Sequence, residues 1–164
     1  MPLYRIKQFY WSITVKLDEE DIAFIHQYLN EEERKLFSRL IEYEQKHSIN
    51  VARDVIKECK ESRIEANRLI KAALLHDIGK ITNRLNVVDK SVIVLLDKFT
   101  RGKLKKAKGI KKIDIYYNHG AKGVEVLKPY GYDDRLLYLI KNHHNNLITG
   151  DIELEILRKC DNNN

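Results

Sequence analysis

Residues 72–80 read AALLHDIGK, and the reading of this stretch decides the fold. An alanine pair and a leucine pair run directly into a histidine, an aspartate, a glycine and a lysine. An apolar helix that ends on His76 and Asp77 carries two polar side chains to a buried end, where an unpartnered polar group costs several kcal/mol, on the order of 2–7. Partners for the pair therefore have to come from elsewhere in the chain.

Working outward, the first half is free of helix breakers. All seven glycines lie at or beyond Gly79 and the two prolines are Pro2 and Pro129, so residues 3–78 contain neither type. Start signals divide that half into helices. Asp18 precedes EEDIAFIHQYL, Asn30 precedes EEERKLFSRL, and Ser62 with Glu65 has the form of a capping box ahead of ANRLIKAALL. Acidic residues crowd the first turns of the first two, where the helix dipole favours them. The segment from Leu36 to Val55 reads as one long helix. Beyond Gly79, the segments VVDKSVIVLLDKF, IDIYYNHGAKGVEVL, DDRLLYLIKNHH and DIELEILRKCD each read as a helix, separated by glycine, proline or basic stretches. The β-branched run SVIVLL keeps a strand open in the first of these, but no partner strand is evident. There is no internal repeat. The expectation is an all-α, single-domain bundle of about seven helices with its site in the core.

Composition bounds the function classes. A chain of 164 residues with 43% hydrophobic content suits one domain with a single core. No window approaches the ~18 apolar residues of a membrane span, and the start lacks a secretory signal pattern, so a cytoplasmic protein with no membrane partner is expected. The two cysteines, Cys59 and Cys160, form no CxxC pattern and suggest neither a disulfide framework nor a structural zinc site. A net charge of +6 is compatible with anionic ligands.

Helical spacing places most of the histidines inward. His47 follows Leu36, Leu40 and Glu44 and precedes Val51 and Val55 at steps of three or four. His119 shares a face with Ile115, Gly123 and Val126, His143 with Leu136, Leu139 and Ile140, and Asp161 with Leu154 and Leu157. His26 has no such company. Taken singly, an inward histidine is a hydrogen-bonded core residue. Taken together, these groups can satisfy one another around a cation, and imidazoles with carboxylates suit iron, manganese, zinc or cobalt.

The ordered set His47, His76-Asp77, His119, His143 and Asp161, with HSINVA, LLHDIGK, NHGAKGVEVL, IKNHHN and LRKCD around it, resembles the HD-domain metal-dependent phosphohydrolases. The resemblance covers residues 44–161 as an HD core, and residues 1–43 look like the helical lead-in of small stand-alone members, within one domain over 1–164. It implies that His47, His76, Asp77 and Asp161 hold a first metal and that His119 and His143 hold a second, with Asp77 bridging. Two divalent ions, iron or manganese in the first instance and zinc, cobalt, nickel or magnesium otherwise, would then activate a water that cleaves a phosphoester. Asp77, Lys80 and His144 are the implied catalytic residues, and Lys80, Lys122 and Arg84 the implied substrate contacts. His143 rather than His144 is expected to be the ligand, because neighbouring helical residues point about 100° apart; His144 would line the pocket or give a proton to the leaving group. Glu44 reads as a surface carboxylate, with a role in orienting a ligand or binding a further ion as its alternative.

The substrate expectation is a small phosphorylated metabolite or nucleotide. Cyclic di-GMP phosphodiesterases of the HD-GYP branch need a longer signature after the double histidine, where this chain has HHNNLITGD. The stretch 101–112 holds seven Lys or Arg and no acid and reads as a solvated connector. A nucleic-acid partner there is disfavoured, since no aromatic residues interleave the charges. A non-catalytic metal- or nucleotide-binding regulatory module is the alternative to an enzyme, and a homodimer stays open.

Overall fold

A computed structural model describes residues 15–83, 87–100, 103–106 and 109–164. These residues are helical, with no strand among them: α1 (Glu19–Tyr28), α2 (Glu31–Phe37), α3 (Glu42–Ser62), α4 (Asn67–Leu75), α5 (Val87–Phe99), α6 (Lys111–Leu127), α7 (Asp134–Asn142) and α8 (Ile152–Asn163). Short 3₁₀ turns follow α4 at Ile78–Thr82, α5 at Lys103–Lys106 and α6 at Lys128–Tyr130. The SVIVLL segment is helical.

The first two caps form as their local sequences require. Asp18 accepts from the Asp21 amide while the Asp21 side chain accepts from Asp18, and Asn30 and Glu33 do the same for α2. Each pair satisfies two amides that a helix start would leave unbonded.

Two expectations are corrected. The long helix from Leu36 is two helices, broken at residues 38–41, which raises the number of helices among the described residues to eight. Ile41 is extended, and the Leu40 carbonyl freed by the break accepts from the buried Gln45 side chain at 2.8 Å. The Ser62–Glu65 capping box does not form either. Ser62 closes α3, Arg63 takes the left-handed conformation at φ 57°, and the amides of Arg63 and Ile64 both return to the Cys59 carbonyl. The start of α4 instead draws on Glu65, whose side chain accepts from the Asn67 amide at 3.0 Å.

The core is built on α4. Leu69, Ile70 and every residue from Ala72 to Lys80 are buried, against Ile49, Val51, Ala52 and Val55 of α3, Leu139 and Ile140 of α7 and Leu154 and Leu157 of α8. Each fully buried leucine or isoleucine contributes about 1.5–3 kcal/mol. Polar ties hold the surrounding helices in register with that centre. Glu33 joins Lys71 of α4 (2.8 Å) and the Tyr132 hydroxyl (2.6 Å), and Arg135 of α7 takes Asp151 in a forked pair and Glu153 of α8 in the same grip. The 3₁₀ turn after α4 lies against α6 at glycine contacts: a Cβ on Gly79 would stand 2.0 Å from the His119 carbonyl oxygen and 2.6 Å from the Gly123 amide. Only glycine permits that approach.

Candidate metal centre

Five elements deliver the polar side chains to one place. His47 comes from the second turn of α3, His76 and Asp77 from the end of α4, His119 from the middle of α6, His143 and His144 from the residues just past α7, and Asp161 from the last turns of α8. Their rings make a continuous row, with centroid separations of 5.4 Å for His47–His76, 5.0 Å for His76–His143, 5.1 Å for His119–His143 and 4.1 Å for His143–His144. The two carboxylates stand on either side of His76. Asp161 Oδ1 is 3.0 Å from His47 Nε2 and 3.4 Å from His76 Nε2, while Asp77 Oδ2 is 3.5 Å from His76 Nε2 and Asp77 Oδ1 is 3.3 Å from His119 Nε2.

The backbone fixes which ring nitrogens face inward. Nδ1 of His76 meets the Ala73 carbonyl at 2.7 Å, Nδ1 of His143 the Ile140 carbonyl at 2.6 Å, and Nδ1 of His119 the carbonyls of Ile115 and Tyr116 at 3.2 and 3.1 Å. A carbonyl only accepts, so the hydrogen of each neutral ring is assigned to Nδ1 and the lone pair to Nε2. Nε2 of His119 and Nε2 of His143 then face each other at 3.2 Å. Two lone pairs at that distance repel unless a positive centre lies between or beside them. The buried His76 Nε2 and Asp77 Oδ1 have no hydrogen-bond partner. These are the properties of metal-ligand atoms, and the residues fit a cation.

Electrostatics point the same way. Burial, helped by the neighbouring imidazoles, holds His143 well below the ordinary histidine value, and burial brings His119 down to about 4. Burial lowers His47 and His144 as well. His76 goes the other way: burial opposes its charge, but Asp77 and Asp161 outweigh it and lift the ring to about 9. Burial would raise both carboxylates, yet Lys80 and the histidines keep Asp77, and His47 and His76 keep Asp161, far below the usual carboxylate range. The two carboxylates thus make the surroundings of His76 favourable to positive charge, which a divalent cation held by these residues would supply.

Single ligand atoms converge in three overlapping sets, each within 4.8 Å: His47, His76 and Asp161; His76, Asp77 and His143; and His119, His143 and His144. All six expected ligands are therefore brought together. His144 lies closer to them than helical spacing suggested. The two adjacent rings lie 4.1 Å apart, and Nδ1 of the half-exposed His144 is 3.6 Å from Asp161 Oδ2.

The other expected residues divide. Lys80 is buried, ion-paired to Asp77 Oδ2, with Nζ 3.9 Å from Glu44 Oε1. Burial acts to lower its pKa, but Asp77 and Glu44 outweigh that and raise it, so the ammonium persists. Glu44 is only 5% exposed. Its reading as a surface carboxylate is corrected, and its place on the inward stripe with His47 was the signal. Lys122 pairs with Asp114 at 2.8 Å on the outer part of α6. Arg84 lies outside the described residues. His26 is exposed on α1, apart from the cluster.

The HD domain family model matches residues 45–162. No curated protein and no solved structure shows a significant match to the chain.

Proposed function

The chain belongs to the HD domain family, and from that premise we propose that it is a metal-dependent phosphohydrolase acting on a small phosphorylated metabolite or nucleotide. The observation that supports this most is the pair of inward lone pairs on His119 and His143, 3.2 Å apart with their hydrogens committed to the backbone. His47, His76, Asp77 and Asp161 would hold one divalent ion, and His119 and His143 a second, with Asp77 shared. Iron and manganese suit this nitrogen and oxygen set best, without excluding zinc, cobalt, nickel or magnesium.

When bound, such ions supply Lewis acidity toward phosphoryl oxygens and make water a better nucleophile near neutral pH. The chain's own residues supply the rest. Asp77 offers Oδ1 toward His119 and Oδ2 toward His76 and Lys80, so one carboxylate spans both halves of the cluster. Lys80 carries the only ammonium buried beside these ligands among the described residues, and a phosphate oxygen competes for its hydrogens with Asp77. His144 is half-exposed at the open edge of the row, with its ring 4.9 Å from that of His119. It is placed to give a proton to a leaving oxygen there. Substrate contacts from Lys122 and Arg84 remain part of this reading. A cytoplasmic location is part of it too, in keeping with buried free thiols at Cys59 and Cys160 and with no described helix long and apolar enough to cross a membrane.

The test is anaerobic loading with iron or manganese, followed by metal analysis and a phosphoester and nucleotide panel. Stoichiometric metal with phosphate release supports the proposal. Metal without turnover of any phosphoester would indicate a binding module, and absence of metal would end the hydrolase reading.

A further inference from the structure

Apart from the main core, the fold has a second, small apolar cluster: Ile93 of α5 with Ile113 and Ile115 of α6, flanked by Leu104, Tyr116 and Tyr117. It leaves much of the described apolar surface of α5 uncovered. Val92, Leu95, Leu96 and Phe99 are 49, 51, 43 and 79% exposed. Their spacing of three, four and seven from Val92 puts them on one helical face, about 100° round from Ile93. Ile110, 51% exposed, lies just before α6, which packs with α5 and the 3₁₀ turn Lys103–Lys106. An apolar stripe of this kind is held in water only at a cost, and it marks an interaction surface.

Charge around the stripe is of one sign. Lys98, Lys103 and Lys111 are exposed. The acids of α5 do not offset them: Asp89 is taken by Lys112 at 2.7 Å, and Asp97 is half-buried beside Tyr117. An apolar helical face bordered by lysines is the pattern of a helix that lies in a membrane interface.

We propose that the α5 face, with its lysine rim, docks the protein peripherally on an anionic lipid surface. This goes beyond the expectation of no membrane partner, which rested on the absence of a spanning segment and of a secretory signal pattern. A second copy fits less well, because a two-fold contact through this face would press two lysine rims together. Single-stranded nucleic acid fits less well because the stripe is aliphatic except for Phe99 and offers no series of stacking rings. Docking is independent of the phosphohydrolase reading and can fail or hold without it.

The experiment is co-sedimentation of the full chain with phosphatidylcholine vesicles with and without phosphatidylglycerol. Binding is expected only to the anionic vesicles, and it should weaken as salt rises. Phe99→Asp and Leu95→Asp should each reduce partitioning at least about tenfold, and Lys98→Gln and Lys103→Gln about fivefold each. Ile22→Asp, an exposed position on α1, should change nothing; helical circular dichroism of all variants should match the parent. No binding to anionic vesicles at low salt would overturn the proposal, and so would equal binding to neutral vesicles. Light scattering that shows a dimer converted to monomer by Phe99→Asp would overturn it in favour of a second copy.

Discussion

Gly79 and His119 touch through their backbones, so closely that a Cβ on Gly79 would stand 2.0 Å from the His119 carbonyl oxygen. This contact ties the turn that follows His76-Asp77 to the helix that presents His119. Backbone cannot yield as a flexible side chain does, so Gly79→Ala must push α6 away from Asp77. The expected result is a loss of about 1–3 kcal/mol in denaturant unfolding, together with a reduced metal content after loading. A variant with unchanged stability and full metal content would show that the two elements are not coupled in this way.

The overlapping ligand sets separate the two halves of the centre. His119→Ala leaves His47, His76 and Asp161 in place, and the metal content should fall from about two ions per chain to about one. Asp77→Ala removes the shared carboxylate and leaves Lys80 buried without its nearest partner; both ions and activity should be lost, at a cost of about 3–5 kcal/mol in stability. Asp77→Asn separates the two effects, because it restores a polar partner for Lys80 but not the negative charge. His26→Ala should alter neither metal nor stability. Atomic emission on purified proteins gives the counts.

Acid sensitivity should trace in part to Glu33. Burial works to raise its pKa, but Lys71, Tyr132 and the Asn30 amide outweigh that and hold it below the ordinary value of 4.5. A carboxylate whose pKa is depressed by folding stabilises the native state above its unfolded value and loses that contribution as pH falls through its folded value. Glu33→Gln should therefore cost about 1–3 kcal/mol at neutral pH and reduce the loss of stability below pH 4.5 relative to the parent. Parallel acid dependence in the two proteins would assign the effect elsewhere.

Lys80 carries a test of substrate contact. Lys80→Gln keeps the side chain's length near Asp77 and removes the charge. In the phosphohydrolase reading kcat/KM should fall about tenfold to a hundredfold, with metal content retained. Loss of metal alongside activity would make Lys80 a support for Asp77 and not a substrate contact.

What the chain disclosed in advance follows the range of the interactions. The caps at Asp18 and Asn30 depend on residues three positions away, and both form. The apolar stripes of α6, α7 and α8 carry their own period, so the inward placement of His119, His143 and Asp161 could be read from spacing, and that of His76 from the apolar run that ends on it. The break at residues 38–41 has no glycine or proline to announce it; it holds because Gln45, buried by tertiary packing, takes the Leu40 carbonyl. Ser62 was misread because a capping box and a helix end compete for the same residues, and the left-handed turn at Arg63 decided for the end. The closeness of His143 and His144 was not legible, since the 100° rule fixes where each Cβ points and not where a ring rotates to. Glu44 was legible on its stripe, yet a glutamate is so rarely buried that its partner, Lys80, had to be seen first.

The central claim is that His47, His76, Asp77, His119, His143 and Asp161 hold two cations. Anomalous scattering from crystals of anaerobically manganese-loaded protein tests it most directly. The expected map has two peaks, each within roughly 2.0–2.3 Å of its nitrogen and oxygen ligands, with Asp77 touching both. A map with no peak among these six side chains, or with Asp77 touching neither, would contradict it.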